Sequence, residues 1–105
     1  MSAFRVVMVT IPKENAEEMS QKIVVSGLAA CVNIVDNAKS IYKWKGELKS
    51  KTESVLFIKT ATKKVENLIK SIREDHPYET PEIISMTISE GNPDYLNWVD
   101  EVTTN

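Results

Sequence analysis

The sequence predicts an α+β sandwich of four strands and two helices in the order β-α-β-β-α-β, closed by a short terminal helix. Three observations predict it: an apolar β-branched run at Phe4–Ile11, a long polar hairpin pattern turning at Gly46, and an i, i+3, i+4, i+7 stripe at Val65, Leu68, Ile69 and Ile72. The 105 residues suit one domain, 1–105, with a single core.

Phe4–Ile11 (FRVVMVTI) is apolar on both alternating faces, as in a strand covered on two sides, and Pro12 ends it. Asn15 with Glu18 three residues on has the form of a capping box, and Gly27 supplies a stop. The first helix is therefore expected over 16–26 with Ala16, Met19 and Ile23 buried. Residues 30–35 read as the second strand, continued at 41–44 past a bulge near Asn37; Gly46 marks the hairpin tip, and the return strand ends in 54–60. The lysine-rich stretch 43–51 reads as the solvated rim of this hairpin. The Val65–Ile72 stripe places a helix from near Thr62 to His76, where Pro77 disfavours helical geometry. Ile84, Met86 and Ile88 alternate with Ser85, Thr87 and Ser89 as a last strand. Asn92 and Pro93 then open a helix carrying Tyr95, Trp98 and Val102. Right-handed crossovers put both main helices on one face of an antiparallel sheet, which is a ferredoxin-like sandwich with an unusually long hairpin between its second and third strands.

Two helices cover only one face of such a sheet. Val6 and Met8 oppose Val7 and Val9 on the first strand, and Val55 and Phe57 oppose Leu56 and Ile58 on the third, so the second face carries an apolar patch that calls for another chain. The aromatic hairpin residues Tyr42 and Trp44 add to this, and a closed cyclic homo-oligomer with hairpins joining sheet edges is the expectation.

Composition narrows the function. A net charge of -2 lacks the basic excess that nucleic-acid binding requires. No apolar run approaches the ~18–20 residues of a membrane span, and the first ten residues lack a cationic start with a cleavage site. With one cysteine, Cys31, these features lead to the expectation of a cytoplasmic protein without membrane or nucleic-acid partners. One His and one Cys cannot build a four-ligand zinc site in one protomer, and no phosphate loop or nucleophile motif is present, so no enzyme is expected.

The densest chemistry is HPYETPEI at 76–83, where two prolines stiffen a turn holding the only histidine, a phenol and two carboxylates. His76 suits the carboxyl end of the preceding helix, with Tyr78 packed beneath; equally, His76 with Glu79 or Glu82 suits an exposed cation site. Cys31, amid Ala29, Ala30 and Val32, reads first as a small buried hydrophobe. Trp44, Glu53 and Lys59 are candidates for a cleft between chains.

The strings GLAACVNI (27–34), SIYKWKGEL (40–48), the triplet 58–60, HPYETPEI (76–83) and GNPDYLNWV (91–99), in this order over nearly the whole chain, resemble the CutA family of divalent-cation tolerance proteins. The resemblance implies a ferredoxin-like homotrimer, similar in architecture to PII signalling proteins, linked to tolerance of copper and other divalent cations and with no established catalytic activity. Family members discussed as copper binders carry a cysteine at the end of the first strand and two histidines before Pro-Tyr. Val9 and Asp75 stand at those positions here, leaving His76. A bound metal is then expected at His76, with Glu79, Glu82 and Asp75 as oxygen ligands. The alternative is a PII-like signalling or scaffolding trimer whose clefts, lined by Trp44, Lys59, Tyr78, Cys31 and Glu53, take a small molecule or protein partner.

Overall fold

The computed structural model describes residues 3–104. Its elements run β1 (Phe4–Ile11), α1 (Lys13–Val25), β2 (Cys31–Trp44), β3 (Glu47–Ala61), a 3-10 turn (Thr62–Lys64), α2 (Val65–Asp75), β4 (Ile83–Thr87) and α3 (Pro93–Thr103). The sheet order is β2-β3-β1-β4 with every neighbouring pair antiparallel, the ferredoxin-like arrangement the sequence predicts.

Alternation on the strands decides which side chains meet the helices. Val7, Val9 and Ile11 of β1 and Leu56 and Ile58 of β3 are buried against Ala16, Met19 and Ile23 of α1 and Leu68 and Ile72 of α2. α1 begins three residues before the expected Ala16, because Pro12 already has the cap geometry and its carbonyl accepts from the Asn15 amide at 3.0 Å. Asn15 therefore lies inside the first turn and the predicted capping box is not used. At the other end Gly27, at φ 79°, closes a Schellman motif: its amide bonds Val24 O at 3.1 Å and the Leu28 amide bonds Ile23 O at 3.0 Å. α2 ends where Pro77 requires, with His76 in extended geometry.

The second and third strands form one continuous hairpin. Its register shifts between Val35 and Ala38, where Asn37 has a φ of 66°, so the expected bulge joins the two extended pieces into a single 14-residue strand. Lys45 and Gly46 both have positive φ, 52° and 81°, the two-residue turn whose twist matches the flanking strands.

In the last third of the chain α3 forms where Asn92 and Pro93 predict it, while the bounds of β4 are corrected. β4 pairs over Ile83–Thr87, not 84–89, and its apolar alternation faces away from α1 and α2: Ile84 lies opposite Met8 and Met86 opposite Val6, while Ser85 lies opposite the buried Val7. On α3, Val99 and Thr103 are the buried positions, and Tyr95, Trp98 and Val102 are each partly exposed. The reason is the surface α3 rests on. Val99 is buried outside the α1–α2 core, α3 contacts β3, and Tyr95 reaches Cys31, whose register partner Lys59 points to the second face. The chain's own C-terminal helix thus covers part of that face. Beyond it Val35, Ile84 and Met86 remain 51%, 45% and 41% exposed.

Candidate functional site

Where β1 ends, three segments converge on the second face of the sheet. β3 contributes Lys51 and Glu53, which share a face with Val55; the β2 limb of the hairpin contributes Tyr42 and Trp44; and the turn after α2 contributes Tyr78. They enclose an open cleft of about 550 Å³ that Thr10, Glu79 and Glu82 also line.

His76, behind the lining, anchors the turn that carries Tyr78 into the cleft. The residue is 8% exposed; Nε2–H donates to the Thr10 carbonyl at 2.8 Å, and Nδ1 accepts from the Tyr78 amide at 3.1 Å. The carbonyl lies one residue past Val9, the last β1 residue paired with β4, so the imidazole takes over where the ladder stops. The same contacts lay the ring against Tyr78, centroids 4.7 Å apart and tilted by 54°.

Tyr78 then points its hydroxyl into the cleft floor, donating to Glu53 Oε1 at 2.9 Å. Glu53 is 3% exposed, a burial that a carboxylate tolerates only with partners. Its second partner is Lys51, whose Nζ is 3.9 Å from the same oxygen, 3.6 Å from the Tyr78 ring centroid and 5.4 Å from that of Tyr42. Burial works against the Lys51 ammonium, yet Tyr78, Glu53 and Tyr42 together outweigh it and hold its pKa above the ordinary 10.5. Burial raises the Tyr78 phenol above 10.0; Glu53 adds to the rise and Lys51 opposes it.

The structure sorts the residues singled out from sequence. Trp44, Glu53, Tyr78, Glu79 and Glu82 do line one cleft, with Glu82 accepting from the Thr10 hydroxyl at 3.4 Å. Lys59 and Cys31 do not: they pair with each other across β2 and β3, Lys59 bonding the Asn33 amide oxygen and Cys31 meeting Tyr95. Asp75 faces α1 in an ion pair with Lys22 that raises the lysine's pKa. With Asp75 turned away and both His76 nitrogens bonded inside the fold, the four expected metal ligands do not converge. Among the described residues no three His, Cys, Asp or Glu side chains gather as a metal site. Sequence reasoning missed Lys51, Tyr42 and Thr10 as cleft residues. Folding the hairpin about Lys45–Gly46 sets Ser40 opposite Lys51 and Tyr42 opposite Lys49, so Tyr42 and Lys51 are diagonal neighbours, and Lys51 leaves the solvated rim expected for 43–51.

A four-stranded antiparallel ferredoxin-like sheet with a projecting hairpin and an aromatic, carboxylate-lined cleft defines a small α+β domain. The family model for the CutA1 divalent ion tolerance protein matches residues 5–102, and the chain belongs to that family. It is 42% identical over 99 residues to the divalent-cation tolerance protein CutA of Thermus thermophilus, covering 93% of this chain and 96% of that protein. The solved structure of the Thermus thermophilus protein superposes with a TM-score of 0.93 at 42% identity, covering 95% of this chain and 98% of that one. A CutA homolog of Xenopus laevis is 45% identical over 90% of this chain, which spans 63% of that longer protein and 54% of the mouse relative. The PII-like protein CutA of Nostoc sp. PCC 7120, in apo form, matches at 33% identity with a TM-score of 0.90, covering 94% of this chain and 96% of that chain.

Proposed function

We propose that this chain serves the response to divalent metal ions as a homotrimeric, non-catalytic binding module whose ligand site is the cleft over Glu53. One observation carries the reading: a carboxylate 3% exposed, held by a phenol at 2.9 Å and an ammonium at 3.9 Å, at the base of a cleft of about 550 Å³. A buried charge costs several kcal/mol of desolvation, and replacing such pairs with apolar residues is often neutral or stabilising, so recognition is a stronger reason for it than stability. The trimer is supported by Val35, Ile84 and Met86, which α3 leaves uncovered, and by the exposed hairpin residues Ile41, Trp44 and Leu48. The absence of catalysis is supported by His76, whose ring nitrogens are both committed to main-chain partners.

Two measurements test this. Sedimentation equilibrium should give three times the chain mass, and a copper-sensitive strain lacking its own CutA should regain growth with the parent chain but not with Glu53→Gln. A monomer mass, or equal rescue by both chains, contradicts the proposal.

A second reading is direct binding of copper or a related divalent cation, favoured by Glu79 and Glu82 lining the same cleft as Glu53. Calorimetric titration with copper(II) should then lose its heat in a Glu79→Gln/Glu82→Gln variant. Heat that persists there argues against it.

A further inference from the structure

The lysine in the cleft occupies a place that a ligand of its own chemistry would take. Lys51 Nζ lies over the face of Tyr78 at 3.6 Å, with the Tyr42 ring at 5.4 Å and Glu53 Oε1 at 3.9 Å, so the cleft already stabilises one ammonium by two aromatic faces and a buried carboxylate. That ammonium is exchangeable. The Lys51 side chain is 36% exposed, sits on a flexible four-carbon stem, and makes an ion pair at the long end of the contact range, whereas Glu53 and Tyr78 are fixed by the shorter bond between them.

The charge of the lining decides the sign of the ligand. Among the described lining residues Glu53, Glu79 and Glu82 face a single cation, Lys51, and Trp44 extends the aromatic wall toward the hairpin tip. An anion would meet repulsion from the carboxylates. An aliphatic chain bearing two or more ammonium groups would place one over Tyr42 and Tyr78 against Glu53 and another toward Glu79 and Glu82, with its methylenes along the aromatic wall.

Building on the reading of the cleft as a ligand site, we infer that it recognises an aliphatic polyammonium ion, and that Lys51 is an internal surrogate which the ligand must displace. Lys51 therefore opposes binding.

Calorimetry on the assembled protein with three four-carbon probes, putrescine (diammonium), butane-1,4-diol (neutral) and succinate (dianion), tests this. Putrescine should bind saturably and butane-1,4-diol should not. Lys51→Met, which keeps the apolar stem and removes the competitor, should tighten putrescine binding by about fivefold or more, and Glu53→Gln should weaken it by at least as much. Weaker putrescine binding in Lys51→Met than in the parent overturns the inference. Saturable succinate binding that Lys51→Met abolishes also overturns it, while leaving the cleft as a ligand site. No binding of any probe by either protein overturns the inference and counts against the ligand-site reading as well.

Discussion

Replacing His76 with alanine separates a structural imidazole from a metal-binding one. The ring supplies a donor to the Thr10 carbonyl at 2.8 Å and an acceptor for the Tyr78 amide at 3.1 Å. Thr10 is buried, so its carbonyl loses a partner that water does not readily replace, at a cost of about 1–3 kcal/mol. Loss of the ring contact with Tyr78 adds about 0.5–1.5 kcal/mol. The Tyr78 amide belongs to a half-exposed residue that water can reach and adds little. The expected destabilisation is about 2–4 kcal/mol, a large share of the roughly 5–15 kcal/mol that holds a domain together. In urea denaturation at fixed protein concentration, the midpoint should fall by about 1–2 M with the slope unchanged. His76→Gln, which retains a donor and an acceptor, should recover part of the loss. An alanine variant within about 0.5 kcal/mol of the parent that no longer retains copper would refute the reasoning, because the nitrogens would then be free for metal.

Three further outcomes follow from the geometry. Burial raises the Tyr78 and Tyr95 phenols above 10.0, so the native state holds these protons more tightly than the unfolded chain; their stabilisation is complete below pH 10 and is lost as pH rises through the raised values. Phenolate absorbance of the parent minus Tyr78→Phe should show the missing group titrating above 10.0, and a difference curve centred at or below that value contradicts the burial argument. Lys45 adopts a φ of 52° beside Gly46, so Lys45→Asn should stabilise the hairpin by roughly 0.5–1 kcal/mol, read as a higher melting temperature; an unchanged or lower one would show that the tip is not strained. Met86→Glu places a charge on the uncovered strip and should shift the sedimentation mass toward the single chain, while a variant that stays at three chain masses would move the interface elsewhere.

What was legible in the sequence follows the range of the forces involved. The periodicity of Val65, Leu68, Ile69 and Ile72, the stop at Gly27, the bulge near Asn37 and the turn at Gly46 depend on neighbours within a few residues, and the structure agrees with each. The start of α1 differs because Pro12 and the Asn15 capping signal compete for one helix end, and a fixed proline φ needs no side-chain bond. β4 and α3 were harder to orient. Alternation in Ile84–Thr87 shows that one face is apolar but not which, and at the sheet edge the apolar face turned toward the side left for another surface. On α3 the aromatics Tyr95 and Trp98 pack on each other, centroids 5.7 Å apart, while the smaller Val99 and Thr103 are the fully buried positions, so side-chain size alone does not mark the contact stripe.

The cleft shows the same division more sharply. Glu53 and Tyr78 are 25 residues apart, and nothing in either local pattern announces their bond. They meet because His76 anchors the turn after α2 to the end of β1 while the pairing of β1 with β3 brings Thr10 opposite Val55, two residues from Glu53. Pro77 makes that anchoring inexpensive by fixing the chain next to the imidazole, so Tyr78 leaves the turn in one direction. Lys51 was invisible for a different reason. Lys43, Lys45, Lys49 and Lys51 crowd the hairpin tip around a glycine and a glutamate, and such a run reads as solvent-facing charge. The strand period carries Lys49, Lys51, Glu53 and Val55 onto one face, and what separates Lys51 from Lys49 is its place two residues from the buried Glu53, whereas Lys49, nearer the tip, pairs with the exposed Glu47.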